Sequence, residues 1–257
     1  MQAFDSLSRN IQQYIYDKGW PSLTSIQNAA IKQVANTDHN LILSAPTASG
    51  KTEAAFIPAL NSVEDWETGL KVLYISPLKA LINDQFQRIS ELSAYLDIPI
   101  TPWHGEVSQA QKKKVVNQPK GILLITPESI EGMLVNRPGK AQHLFKGVEW
   151  IIIDELHSFL GTERGVHLQS LLQRISQFMQ APRFIAMSAT LNKKDFGYAK
   201  AFFGSQRDTD ILVDRDKNDL LVTIDYTSGE AGPFVARESL AAIYQYSKTE
   251  TMLIFPN

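Results

Sequence analysis

The sequence predicts a doubly wound α/β fold on a mostly parallel sheet, and three observations carry that reading. Five short, nearly continuous apolar runs rich in β-branched residues recur along the chain. Stretches with helical periodicity lie between them. Each run is followed at once by small polar residues, proline or carboxylates. Continuous rather than alternating apolar runs are the pattern of strands covered on both faces, as in a parallel sheet. Strands alternating with helices give the doubly wound arrangement.

In chain order, residues 25–34 read as a helix ahead of the first strand, Leu41-Ile42-Leu43. A helix over 53–60 follows, then the strand Val72-Leu73-Tyr74-Ile75 and helices over 80–95 and 108–116. Ile122-Leu123-Leu124-Ile125 and Ile151-Ile152-Ile153 are the next strands. Residues 166–179 set Val166, Leu168, Leu171, Leu172, Ile175 and Phe178 on one side of a helix. Phe184-Ile185-Ala186-Met187 is the fifth strand. Residues 210–227 read as the last strands of this domain or as the lead to a linker, and Ser228-Gly229-Glu230-Ala231-Gly232-Pro233 as a turn before a helix over 234–246. There is no internal repeat.

Composition narrows the function classes. The chain has 257 residues, 44% of them apolar, and 25 Lys and Arg against 27 Asp and Glu, for a net charge of -2. That length suits one α/β domain or two small ones, and the moderate charge argues against disorder. With no cysteine, disulfides, Cys zinc sites and thiol catalysis are excluded. Residues 1–20 carry Asp5, Arg9, Asp17 and Lys18 and lack the apolar core of a signal peptide. No window approaches the run of about 18 apolar residues of a membrane helix. A cytoplasmic location without membrane contact is expected. The near-neutral charge means that any nucleic-acid binding comes from a local site, not from a broadly basic surface.

Ligands of such sheets bind at the carboxyl ends of strands, so the residues there are the site candidates. Ala45-Pro46-Thr47-Ala48-Ser49-Gly50-Lys51-Thr52 has the spacing of a phosphate-binding P-loop, with Ala45 in place of the first glycine. Backbone N–H groups of such a loop wrap phosphates. Gly50 permits the close approach, Lys51 reaches the β- and γ-phosphates and Thr52 ligates Mg²⁺. Trp150-Ile151-Ile152-Ile153-Asp154-Glu155 is an apolar strand ending in two carboxylates. Asp154 suits a Mg²⁺ ligand and Glu155 a residue that orients or deprotonates an attacking water. Adjacent carboxylates also begin helices, and His157 has the alternative of a partly buried histidine that satisfies a backbone group. Lys112, Lys113 and Lys114 read first as a solvated helix face, and Trp103 as a packing residue ahead of a base platform.

Asp154-Glu155-Leu156-His157 together with the P-loop resembles the DExH branch of the superfamily 2 helicases. Gln27 within Leu23-Thr24-Ser25-Ile26-Gln27 resembles the Q motif, Ser76-Pro77-Leu78-Lys79-Ala80-Leu81 motif Ia, Thr126-Pro127-Glu128-Ser129 motif Ib, and Ser188-Ala189-Thr190 motif III. Trp103-His104-Gly105-Glu106 and Gly161-Thr162-Glu163-Arg164-Gly165-Val166-His167-Leu168 are similar to segments of the Lhr-like group. The resemblance runs from about residue 23 to residue 190.

It implies a RecA-like domain that binds Mg·ATP, with Gln27 at the adenine and Lys51, Asp154 and Glu155 at the chemistry. Ser76, Pro77, Lys79, His104, Gly105, Thr126, Pro127, Glu128 and Arg164 would lie along one strand of nucleic acid, DNA ahead of RNA. Arg164 has the alternative of an ion pair with Glu163 or a neighbour. His157, Ser188, Ala189 and Thr190 would couple the nucleotide state to that strand. Thr251-Met252-Leu253-Ile254-Phe255-Pro256-Asn257 resembles motif IV. The expected organisation is therefore an ATP-binding domain over 1–247 and the start of a second RecA-like domain over 248–257, within a longer protein that moves 3′ to 5′ along a single strand. A nucleotide-switched binding module that does not unwind is the alternative.

Overall fold

The computed structural model describes residues 3–189, 191–204 and 206–214. All of them belong to one compact unit. Thr190, the helix over 234–246, the motif IV segment and the domain boundary at 247 lie outside the described residues.

Seven parallel strands form one sheet: β1 (Asn40–Ser44), β2 (Gly69–Ile75), β3 (Ile100–Trp103), β4 (Lys120–Ile125), β5 (Trp150–Ile153), β6 (Arg183–Ser188) and β7 (Thr209–Val213). Their spatial order is β3-β4-β2-β5-β6-β1-β7. The helices are α1 (Arg9–Asp17), α2 (Ser25–Asn36), α3 (Lys51–Ser62), α4 (Lys79–Tyr95), α5 (Gln109–Asn117), α6 (Pro127–Asn136), α7 (Pro138–Phe145), α8 (Glu163–Ser176) and α9 (Phe196–Ala201).

The apolar strand runs are continuous because both faces of the sheet are covered. Leu41, Leu43, Val72, Tyr74, Ile152 and Met187 pack with side chains of α1 to α4. Ile42, Leu73, Ile75, Ile151, Ile153 and Ala186, the alternate positions, pack with α6 to α9. Alternation of side chains along a strand sends neighbours to opposite faces, so each face supplies its own core.

All five expected strands form, and the expected helices that fall within the described residues form with ends shifted by at most a few residues. Side-chain caps fix several of the helix starts. Thr24 and Gln27 make a reciprocal capping box that starts α2. The Ser108 and Thr126 hydroxyls accept from the Gln111 and Ser129 amides at the starts of α5 and α6. The edge strand β3 was not expected because Pro102 interrupts its short run. Proline lacks an N–H and fits a strand only where one side is unpaired, and β3 pairs with β4 alone. In α8, Leu168, Leu171, Leu172 and Ile175 are buried, but Val166 is exposed, so the predicted stripe begins two residues late. No helix among the described residues is long and apolar enough to cross a membrane.

Candidate active site

The order of the sheet brings the predicted motifs to one edge. β1, β6 and β5 are neighbours, and β2 and β4 continue beyond β5, so the segments after these strands line the carboxyl ends in one row. The loop after β1 contains two residues of positive φ, Ala48 at 63° and Gly50 at 83°. Glycine suits the left-handed conformation at position 50, and an added Cβ there would lie 2.6 Å from Nε2 of Gln27, so the end of that side chain would have to shift. Gly50 supplies no side-chain cap to α3, which leaves the first N–H groups of that helix to an outside acceptor. The Ser49 hydroxyl is buried without a partner among the described residues. The Lys51 Nζ reaches back over this loop and donates to the Ala45 and Pro46 carbonyls at 2.6 and 2.7 Å. Burial lowers the pKa of Lys51, opposed by the negative charges of Glu155 and Asp154.

Gln27 is buried against the same loop. Its Oε1 accepts from the Thr24 amide at 3.0 Å and its Nε2 donates to the Gly50 carbonyl at 3.4 Å. The Thr24 hydroxyl donates to the Ser49 carbonyl at 3.3 Å. The start of α2 is thereby fastened to the P-loop. Thr52 is buried in the first turn of α3.

Asp154, after β5, is buried. Its Oδ2 accepts from the Tyr74 hydroxyl at 2.5 Å and its Oδ1 from the Glu155 amide at 2.9 Å. Burial raises its pKa, with the Tyr74 hydrogen bond pulling the other way. Burial also holds the Tyr74 phenol well above its ordinary range, so the hydroxyl keeps its proton and remains a donor. Glu155 has φ of 49°, a sparsely populated conformation for a residue with a side chain, of the kind found at functional sites.

His157 spans the acidic segment and the end of β6. Its Nδ1 lies 3.3 Å from Glu155 Oε2, 3.4 Å from Ser188 Oγ and 3.4 Å from the Ala189 amide. An amide can only donate and a carboxylate can only accept, so the Ala189 and Glu155 contacts require different protonation of Nδ1. Ser44 braces the same turn: its hydroxyl donates to the Ala189 carbonyl and accepts from the Leu191 amide.

The remaining candidates divide. Arg164 Nη2 donates to the Pro77 carbonyl, and its Nε and Nη2 donate to Glu128 Oε1 at 3.0 and 2.6 Å. The partner is Glu128, not Glu163, and the arginine joins the segments after β2 and β4. Burial would raise the Glu128 pKa, but its own backbone N–H and Arg164 outweigh that and lower it. Lys79 is ion-paired with Glu106. The Ser76 hydroxyl is buried and donates to the Leu78 carbonyl, and the Thr126 hydroxyl is shared between Ser129 Oγ and the Ser129 amide. His104 Nε2 meets Asn83 Oδ1 at 3.1 Å. Gly105 is exposed and Pro127 buried. Gly165 sits where an added Cβ would lie 1.8 Å from the Phe159 carbonyl oxygen, which explains the glycine after Arg164.

The model of the DEAD/DEAH box helicase family matches residues 24–196. The chain belongs to that family. Among DEAD/DEAH box helicases it is similar to the ATP-dependent helicase Lhr-Core of Methanocaldococcus jannaschii, 30% identical over 82% of this chain and 26% of that protein. It is also similar to the Lhr helicase/uracil glycosylase of Escherichia coli, 33% identical over 74% of this chain and 13% of that one. Of solved helicases, Mycobacterium smegmatis Lhr bound to ssDNA and AMP-PNP superposes with a TM-score of 0.73 at 27% identity, covering 83% of this chain and 28% of that one. MrfA bound to DNA gives 0.70 at 27% identity over 82% and 30%. The chain spans about a quarter of the archaeal relative's length. Sequence reasoning on this DEAD/DEAH chain missed Tyr74 and Ser44 as parts of the site. A hydroxyl within an apolar strand was a visible signal at Tyr74, but its partner was not.

Proposed function

We propose that this chain is the ATP-binding RecA-like domain of a longer, Lhr-like helicase that hydrolyses Mg·ATP to move along a single strand of nucleic acid. The observation that carries this reading is that the P-loop after β1 and the carboxylates after β5 stand on either side of β6 at one sheet edge, with a positive-φ loop and an uncapped helix start between β1 and Lys51. Asp154 and Glu155 directly follow β5, Lys51 opens α3 after the loop that follows β1, and both carboxylates act electrostatically on the lysine. The positive-φ loop and the uncapped start of α3 suit the phosphates of ATP, with Lys51 neutralising their charge. Among the described residues no three His, Asp or Glu side chains gather to hold a metal. That suits Mg²⁺, which is usually held by one or two protein groups with substrate phosphates and water. Thr52 and Asp154 are the proposed protein ligands. Mg²⁺ would supply charge neutralisation at the transferring phosphoryl group. Glu155 would orient the attacking water.

Ser188, Ala189 and Thr190 would report the nucleotide state through His157. The segments around Ser76, Thr126 and Glu128 would hold the strand backbone without reading bases. We favour DNA because the helicases at 27% identity are bound to ssDNA or DNA, whereas the ssRNA-bound Mss116 is 20% identical. The second wall of the ATP cleft, with its arginine finger, would come from a further RecA-like domain beginning near residue 248. The domain proper would run over 1–247.

The test is binding of a fluorescent ATP analogue with and without Mg²⁺, together with hydrolysis with and without oligo(dT). Mg²⁺-dependent binding that Lys51→Ala abolishes, with slow turnover, is expected. Equal binding by Lys51→Ala would overturn the proposal. In the full-length protein, hydrolysis and DNA-dependent switching without strand displacement would replace it by the non-unwinding module.

A further inference from the structure

Beside the row of motifs, against His104, Gly105 and Ser129, the chain has a cluster of positive charge whose residues the proposed function leaves unassigned. A pocket of about 520 Å³ opens between α5 and the junction of α6 and α7. Four cations from two separate parts of the sequence line it: Lys112 and Lys113 of α5, Arg137 between α6 and α7, and Lys140 of α7. Among the described residues, no Asp or Glu lines it. None of the four cations forms an ion pair with a described residue. In contrast, Lys79, Lys120, Arg164 and Arg174 nearby each have a carboxylate partner. The chain as a whole carries a net charge of -2, so this is a local concentration of positive charge.

Helix-end electrostatics do not account for it. Cations are stabilised at the last turn of a helix and disfavoured at the first. Arg137 follows the end of α6, but Lys112 and Lys113 lie in the middle of α5 and Lys140 lies in the first turn of α7. Gathering like charges around one cavity costs free energy unless an anion shares it. The Lys112 Nζ lies 5.7 Å from the ring centroid of Trp103, which adds an aromatic surface to the wall.

The same pocket is continuous with the proposed strand path. Ser129 forms part of its lining, and the Ser129 hydroxyl is bonded to that of Thr126 at the end of β4. We propose that this pocket binds the sugar–phosphate backbone of the nucleic-acid strand where it leaves the sheet edge, the four cations taking phosphates and Trp103 offering a face for a base or sugar. A run of lysines that reads from sequence as a solvated helix face is thus divided by the fold: Lys112 and Lys113 line this pocket, while Lys114 lines a separate cavity with Phe86 and Pro102.

The inference rests on the reading that the sheet edge handles a nucleic-acid strand, and the experiment separates the two. Fluorescence anisotropy with labelled oligo(dT) is measured from 50 to 300 mM salt for this chain and for two double variants, Lys112→Gln with Lys113→Gln and Arg137→Gln with Lys140→Gln. Lys32→Gln, an exposed position on α2, is the control. Each double variant is expected to bind about tenfold more weakly at low salt, with the log–log salt slope shallower by about 0.7 for each phosphate no longer neutralised. The Lys32 variant and Mg·nucleotide binding are expected to be unchanged. Double variants that bind as the parent does, whether or not their melting temperature moves, would overturn the pocket proposal and leave the functional reading standing. Displacement of the oligonucleotide by inorganic phosphate at matched ionic strength would mark a small-anion site and also overturn it. A parent chain that binds no oligonucleotide would overturn both.

Discussion

The Tyr74 hydroxyl donates to Oδ2 of Asp154 at 2.5 Å, joining β2 to the acidic end of β5. Tyr74 is fully buried and Asp154 nearly so, so water cannot replace this donor. The bond fixes one carboxylate oxygen and helps an anion persist where burial disfavours it. Tyr74→Phe removes the donor while keeping the ring, at a cost of about 1.5–3 kcal/mol for a hydrogen bond to a charged group. The expected outcome is a higher Mg²⁺ concentration for half-maximal nucleotide binding, with Mg²⁺-free binding little changed. An unchanged Mg²⁺ titration would show that the phenol does not hold Asp154 for the metal.

Glu155→Gln keeps the size of the side chain and removes its ability to take a proton. Nucleotide affinity is expected to persist while hydrolysis in the longer protein falls by about 10²–10⁴, the usual contribution of a general base. Quenched-flow measurement of a single turnover would read the chemical step directly. Unaltered turnover would remove Glu155 from its proposed role.

Gly165→Ala places a Cβ 1.8 Å from a backbone carbonyl oxygen, a neighbour that cannot rotate away. The start of α8 must then lift from the turn at Phe159. Overpacking of this kind costs about 1–3 kcal/mol or more, and a domain of this size loses roughly 2–4 °C of melting temperature per kcal/mol. Calorimetry should show a fall of several degrees, accompanied by weaker oligonucleotide binding because Arg164 is carried on the same turn.

The ion pair of Arg164 and Glu128 gives a pH signature. The Glu128 pKa is lowered in the folded chain, so its stabilising contribution is present above the ordinary glutamate pKa and is lost as pH falls through the folded value. Arg164→Gln should therefore lower stability at neutral pH, and the pH-dependent part of the difference should close below about pH 4. Both side chains are more than a third exposed, so that part should stay under about 1 kcal/mol. Urea unfolding from pH 7 to 3.5 reads it. A difference that widens in acid would contradict the assignment.

Replacing His157 by Ala removes the ring that touches Glu155, Ser188 and Ala189. In the longer protein, ATP hydrolysis without nucleic acid is expected to persist while its stimulation by oligo(dT) is abolished. Stimulation that survives intact would place the coupling elsewhere.

Residue pattern alone was enough for the fold class and for the chemistry of the P-loop edge. Continuous apolar runs such as Ile151-Ile152-Ile153 can satisfy both faces of a strand only inside a covered parallel sheet. Gly50, Lys51, Asp154 and Glu155 were legible because phosphate and metal chemistry depends on residue type and short-range spacing. Tertiary structure alone decided the partners. Tyr74 reaches Asp154 because β2 and β5 are neighbours in the sheet, an order that no local pattern encodes. Arg164 meets Glu128, and Lys112 faces Arg137 and Lys140 across a cavity, because the helices after β3, β4 and β5 pack on one face. Side-chain periodicity sets which face a residue occupies, but the packing of distant elements sets what it meets there.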